Sequence, residues 1–264
     1  MDSTIPIIVR ETTAVPKIAN YLTENNIEFD VESLSLSEDF DIKWFINYDK
    51  NRELVQKTLP LTVEHIIKDE YYPAITKAYN TGIDEFIGDF LQSSENVLVL
   101  TGLKGSGKTE LIRHIGKKYN SDITLTFNEE IMQDSSFYYD FLTSKKSNLM
   151  VIEDADKFLG RRTDGNPVMQ MFLNLTDGLV TNNKKKFIFS TNLPEVEDID
   201  PALLRPGRCF AVVNFQELSK SEASTICKDL DVEYRSDFKT LADIFNNTKP
   251  VKLNKVQNKS FGFM

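Results

Sequence analysis

Gly102, Gly107, Lys108 and Thr109 stand in the spacing G-x-x-x-x-G-K-T within the stretch VLVLTGLKGSGKTELI. A strand-like apolar run precedes the pattern and a helix-like run follows, the setting in which this spacing binds phosphate. The residue types account for the chemistry. Glycines let backbone N–H groups turn inward around phosphate oxygens, and the start of a helix adds a positive dipole end. Lys108 can reach the β- and γ-phosphates of a nucleotide, and the Thr109 hydroxyl can ligate magnesium. Gly102, Gly105, Ser106, Gly107, Lys108, Thr109 and Glu110 are the candidate nucleotide-binding residues.

LMVIEDADKF, residues 149–158, runs from an apolar stretch into Glu153, Asp154 and Asp156. In open α/β sheets nucleotides bind at the carboxyl edge of the strands, where acids ending such a run would emerge. The usual order of the first two acids is Asp then Glu, and here it is reversed. Alternate strand residues point to opposite sides, so position, rather than residue type, assigns the roles. Glu153 is expected to serve magnesium together with Thr109, and Asp154 to orient or deprotonate the attacking water. The stem of Glu153 is longer by one methylene, roughly 1.5 Å of bond length. Magnesium usually keeps several waters, and an acid acting through one of them tolerates that change in reach.

The elements that must hold these residues can be read around them. NVLVLTG, DITLTF, NLMVIED, KKFIFSTN and CFAVVNF have strand length and β-branched or aromatic enrichment. Between them lie helical patterns such as GKTELIRHIGKKYN and NPVMQMFLNLTDGLV. That alternation predicts an α/β fold, a parallel sheet flanked by helices. From about residue 217 the strands stop, and SKSEASTICKDL and DFKTLADIFNN predict the helices of a small lid.

Residues 1–95 hold 18 acids against 8 bases and residues 96–264 hold 22 against 23, so the net charge of −9 belongs to the first third. The expected organisation is an acidic α+β N-terminal region over 1–78, a nucleotide-binding α/β domain over 79–216, and a helical lid with a tail over 217–264. In the first region the helical patterns VPKIANYLTENN and TVEHIIKDEYYPAITKAY surround a strand-like IEFDVESLSL. Its acidity argues against a nucleic-acid grip, which relies on Lys and Arg. A solvated surface and a docking face for a protein partner both remain open.

No apolar run approaches the roughly 18 residues that span a bilayer, and MDSTIPIIVRETTAV lacks the basic flank and apolar core of a signal peptide. Cys209 and Cys227 form no CxxC pair, so a reducing, cytoplasmic setting is expected. His65 and His114 lack ligand-spaced neighbours, which favours packing or surface roles over metal binding. The Lys184–Lys186 run reads as a solvated turn, or as a contact for a partner or nucleic acid. The last 21 residues carry Lys249, Lys252, Lys255 and Lys259. They read as a tail packed on the lid or loosely attached to it, or as a docking peptide using Phe261 and Phe263.

KKFIFSTN ends in Asn192, and IDPALLRPGR follows at 199–208. With these four motifs in this order, roughly residues 80–246 resemble the AAA branch of the AAA+ ATPases. The phosphate loop is similar to Walker A and LMVIEDAD to Walker B. Asn192 falls at the sensor-1 asparagine, and STNLPEVEDIDPALLRPGR resembles the second region of homology, whose two finger arginines map onto Arg205 and Arg208. The nearest likeness is to the branch of the mitochondrial Rieske-protein translocase and its small bacterial and phage relatives. That branch shares Glu before Asp and a phrase similar to FLNLTDGLV.

The resemblance implies a P-loop NTPase fold and hydrolysis of ATP to ADP and phosphate with Mg2+. It implies a catalytic set of Glu153, Asp154, Asn192, Arg205 and Arg208, the arginines completing a neighbour's site. The partners it implies are copies of the same chain in a ring, a hexamer by resemblance, and a protein client. A membrane helix is not carried over. FNEEIMQDSSFYYDFLTSKKSN has no aromatic-aliphatic-glycine triplet of the sort many AAA unfoldases present there. Arg161 and Arg162, in GRRTDGNP, read as an exposed loop or as a pore lining. Two other classes stay open: a nucleotide-gated scaffold with little turnover, and a DNA-metabolism loader. The RPGR phrase and the acidic N-terminal region count against the loader.

Overall fold

Seven strands form one sheet: β1 (Asp41–Tyr48), β2 (Leu54–Pro60), β3 (Val97–Gly102), β4 (Asp122–Thr126), β5 (Ser147–Ile152), β6 (Lys186–Ser190) and β7 (Cys209–Phe215). Their order is β2-β1-β4-β5-β6-β3-β7. The β1–β2 pair is antiparallel and every other pair is parallel. The computed structural model describes residues 41–61, 67–119, 121–145, 147–162, 165–176, 184–193 and 196–248, which all belong to the unit Asp39–Met264.

β3 is apolar from Val97 to Leu100 because both of its faces are covered, as in parallel sheets generally. Its alternate residues enter different cores: Leu98 and Leu100 join one cluster, Val97 and Val99 the other. Helices α2 (Ile83–Gln92) and α3 (Lys108–Tyr119) pack on the first face through Phe86, Ile87, Phe90, Leu111 and Ile115. Helices α5 (Ser135–Thr143) and α7 (Pro167–Thr176) pack on the second through Phe137, Phe141, Met169 and Phe172. Shorter helices are α1 (Pro73–Thr76), α4 (Glu129–Met132) and α6 (Asp156–Leu159). The lid helices are α8 (Lys220–Asp229) and α9 (Leu241–Thr248). A capping box starts α8, with Ser219 and Glu222 each bonding the other's backbone N–H, which satisfies two first-turn donors at once.

The expected boundary between residues 78 and 79 does not coincide with a break in the sheet. β1 pairs in parallel with β4, Ile42 opposite Ile123 and Phe45 opposite Thr126. Charge composition misleads here because the acidic excess of the first third lies on either side of β1 and β2, a half-exposed edge hairpin with no acidic excess of its own that belongs to the sheet. The helix expected over 62–79 is also corrected over its described part. A 3-10 turn at Asp69–Tyr71 and the single turn α1 stand there instead. Pro73 keeps the preceding Tyr72 out of the helical region, at φ −126° and ψ 58°, as the residue before proline generally is. The elements expected over 15–36, His65 and the tail beyond residue 248 lie outside the described residues.

The solvated turn expected at 184–186 holds for Lys184 alone. Lys185 and Lys186 are buried, and each caps a helix. Lys185 Nζ donates to the Ser144 carbonyl at 2.6 Å, at the end of α5, and to the Ser147 carbonyl. Lys186 Nζ donates to the carbonyls of Ser93 (2.8 Å), at the end of α2, and Glu95 (2.9 Å). A cation at a helix C-terminus meets its unpaired carbonyls and the negative dipole end. Burial pushes the Lys186 ammonium down to about 8. Lys186→Met keeps the apolar stem but strands two carbonyls, and should cost about 1–3 kcal/mol. A lower urea midpoint at unchanged m-value would register that loss.

Candidate nucleotide-binding site

β5, β6 and β3 are neighbours, so their carboxyl ends lie side by side. The phosphate loop leaves β3, the acids leave β5 and Asn192 leaves β6, all on one edge. A cleft of about 540 Å³ opens there, within the range of ligand pockets, and Gly105, Ser106, Gly107, Lys108, Thr109, Glu110, Glu153, Asp154 and Asn192 line it.

Gly102 starts the loop at φ +110°, and a Cβ there would lie 2.1 Å from the Phe215 carbonyl oxygen. Only glycine fits between β3 and the end of β7. Lys108 is buried, and its ammonium donates to the carbonyls of Gly102 and Leu103, both at 2.8 Å, with Asn192 Oδ1 at 3.5 Å. Burial lowers its pKa, and the charges of Asp154, Asp156 and Glu153 act against that. Ser106 Oγ donates to the Leu103 carbonyl at 2.8 Å and closes the turn.

The two acids have different partners. Glu153 Oε1 accepts from the Thr109 hydroxyl at 2.9 Å. Asp154 Oδ1 accepts from the Asn192 amide at 3.0 Å. Burial raises the Glu153 pKa, with the Thr109 hydrogen bond pulling it down. Asp154 sits at φ +50°, where Asp and Asn are enriched several-fold among non-glycine residues.

Magnesium fits this set. It is usually held by one or two carboxylates, hydroxyls, phosphates and waters rather than by a protein cage. Thr109 and Glu153 supply such a pair, and among the described residues no group of three His, Cys, Asp or Glu is gathered.

Arg205 and Arg208 are not brought into this cleft. Arg205 is exposed, whereas Arg208 is buried and donates to the Ala202 carbonyl. Arg162 is held in place rather than freely exposed: its Nε and backbone N–H both bond Asp200 Oδ2 at 2.9 Å. His114 takes a surface role, 3.1 Å from Asp84.

Three groups of site residues lay outside the sequence reading of the site. Asp156 Oδ1 accepts from the Asn192 backbone N–H at 3.0 Å and from the Thr191 hydroxyl, fixing the turn that presents Asn192. Its signal was its place as the third acid after β5. Ile67, Tyr71 and Tyr72 line the cleft from one side, and Leu241, Ala242, Phe245 and Asn246 from the lid. Tyr71 bolts the two sides together. Its ring stands edge-on to Phe245 at 5.6 Å, and its hydroxyl donates to Asp229, which also takes Lys68 at 2.6 Å.

Residues 98–217 match the model of the family described as ATPase family associated with various cellular activities (AAA). This stretch is an AAA ATPase domain. The chain is 30% identical over 185 residues to a 26S proteasome regulatory subunit 10B of Dictyostelium discoideum, covering 61% of this chain and 46% of that protein. It is 28% identical over 233 residues to the AAA-ATPase At3g50940 of Arabidopsis thaliana, covering 79% and 51%. A proteasome-activating nucleotidase of Methanosarcina mazei is 27% identical over 166 residues, covering 55% and 39%. The chain spans about half or less of the length of these curated relatives. Among the described residues no helix is long and apolar enough to cross a membrane.

Proposed function

We propose that this chain binds ATP with Mg2+, hydrolyses it to ADP and phosphate, and works as a ring-forming AAA ATPase that remodels a protein client. The carrying observation is the division of partners at the cleft: Thr109 with Glu153, and Asn192 with Asp154. A phosphoryl-transfer site needs a group for the metal and a group for the water, and little covalent chemistry beyond that.

Each residue has a task in this reading. The loop N–H groups and Lys108 bind the β- and γ-phosphates, for which Lys108 exchanges its loop carbonyls for phosphate oxygens. Thr109 and Glu153 would hold the magnesium, which when bound neutralises charge on the phosphates. Asp154 orients the attacking water and takes its proton, and Asn192 holds Asp154 in place. Arg205 reaches the site of the next subunit, and Arg208, whose buried side chain holds the Ala202 carbonyl, supports the turn that carries it. Relatives named as proteasome regulatory subunits and a proteasome-activating nucleotidase support a ring and a protein client. The Glu-before-Asp order and the FLNLTDGLV phrase favour kinship with the Rieske-protein translocase branch.

Lys108→Ala tests the nucleotide reading directly. It removes charge-assisted hydrogen bonds worth about 1.5–3 kcal/mol, so ATP affinity should fall roughly 10- to 100-fold. Calorimetric titration of the folded variant gives the answer, and near-normal affinity would refute the assignment of the loop.

A further inference from the structure

Gly105, in the middle of the phosphate loop, is held from outside the loop. Its carbonyl accepts a hydrogen bond at 2.9 Å from the backbone N–H of Ala242, the second residue of lid helix α9. First-turn amides of a helix have no intrahelical acceptor, so this donor is available. The same turn is fixed by its cap: Asp243 Oδ2 accepts from the Thr240 N–H at 2.8 Å, and Thr240 Oγ1 accepts from the Asp243 N–H at 3.3 Å. Lid and loop touch closely. Gly105 has φ +77°, and a Cβ there would lie 2.9 Å from the Ala242 Cβ and 3.2 Å from Thr240 Oγ1. The lid therefore seats on bare loop backbone.

Peptide geometry supplies the consequence. The Gly105 carbonyl and the Ser106 N–H belong to one planar trans unit and point in opposite directions. Pinning the carbonyl to the lid turns the Ser106 N–H away from Ala242, and Ser106 itself lines the cleft. Inward-facing N–H groups are what such a loop offers to phosphate. The neighbouring Gly107 carbonyl is different, because Leu111 N–H holds it within α3 at 3.0 Å. The helix sets that peptide, whereas the 105–106 peptide takes its orientation from the lid.

We propose that Ala242 is a positioning residue of the phosphate site, its backbone N–H setting the 105–106 peptide so that Ser106 N–H faces bound phosphate. Undocking of the lid frees this peptide to turn away, so phosphate affinity depends on lid position. The proposal rests on the nucleotide reading above and adds a route by which the lid acts on the polyphosphate rather than on the base.

Ala242→Pro tests it, since proline lacks the N–H and is tolerated in a first helical turn. Ala242→Ser keeps the N–H and serves as the matched variant. Affinities are measured for ATP, inorganic tripolyphosphate and adenosine. Loss of one hydrogen bond should weaken ATP and tripolyphosphate about 3- to 10-fold in Ala242→Pro. Adenosine should weaken less than tripolyphosphate in Ala242→Pro, and in Ala242→Ser the ratio of tripolyphosphate to adenosine affinity should stay at the wild-type value. Ala242 also lines the cleft, so an equal loss for adenosine would overturn the proposal in favour of packing against the base. Unchanged ATP and tripolyphosphate affinity in Ala242→Pro would overturn it as well. If Ala242→Pro does not fold, hydrogen exchange at the Ala242 amide of the wild type decides. Tripolyphosphate should slow that exchange, and indifference to it sinks the proposal. Wild-type protein that binds neither ATP nor tripolyphosphate removes the nucleotide reading itself and this proposal with it.

Discussion

Arg205→Ala is expected to lower ATP turnover by about 10³–10⁵, the worth of an arginine finger in other NTPases, while ATP binding stays near the wild-type level. Arg205 is exposed and outside its own cleft, so its guanidinium can stabilise transferring phosphoryl charge only in a neighbouring subunit. Arg208 is placed to do something else first. It is buried, its side chain holds the Ala202 carbonyl, and its backbone N–H bonds the Arg205 carbonyl at 3.2 Å. Arg208→Ala should therefore lose stability as well as turnover, because it removes a support of the turn that presents Arg205. Mixing two inactive variants separates action in trans from action in cis. Lys108→Ala keeps the finger and loses the cleft, whereas Arg205→Ala keeps the cleft and loses the finger. Combined, they should regain part of the wild-type activity, since one can complete the other's site. A mixture as inactive as its parts would place the arginine in cis or out of the reaction.

The parallel sheet was legible because its central strands β3, β5 and β6 are buried nearly throughout and read as short apolar runs, VLVLTG and LMVI among them. Their ends were legible too: glycine spacing, acids after β5 and Asn192 after β6 are chemical signals independent of packing. The β1–β2 hairpin was not read, because half-exposed edge strands such as DIKWFINY mix charge with aromatics and look like any polar surface. Lys185 and Lys186 misled for a related reason. Lysine is almost never fully buried, and only the three-dimensional positions of the α2 and α5 carbonyls explain these two. Nor could sequence spacing show that Tyr71 and Phe245, far apart in the chain, meet at the cleft. The difference in fate between Arg205 and Arg208, three residues apart, is likewise set by a local turn.

The reversed acid pair gives the last expected result. Asp154→Asn should bind ATP-magnesium and lose about 10²–10⁴ in turnover, the range of a positioned general base. Glu153→Gln should instead raise the magnesium concentration needed for half-maximal activity. The geometry bears on both roles. Glu153 is bonded to the Thr109 hydroxyl, the group expected beside magnesium, and Asp154 to Asn192. Backbone conformation adds a reason for the order itself. Position 154 lies at φ +50°, a left-handed conformation that Asp accepts more readily than most residues because its short polar side chain can bond locally. Asp154→Glu would thus place a less suited residue on a strained backbone and lengthen the arm toward the water. Restoring the common order with the double variant Glu153→Asp, Asp154→Glu should reduce turnover rather than raise it. Magnesium titrations of turnover for each variant, run beside ATP binding, test the assignment. Hydrolysis abolished in Glu153→Gln at saturating magnesium, with Asp154→Asn still active, would make Glu153 the acid that handles the water.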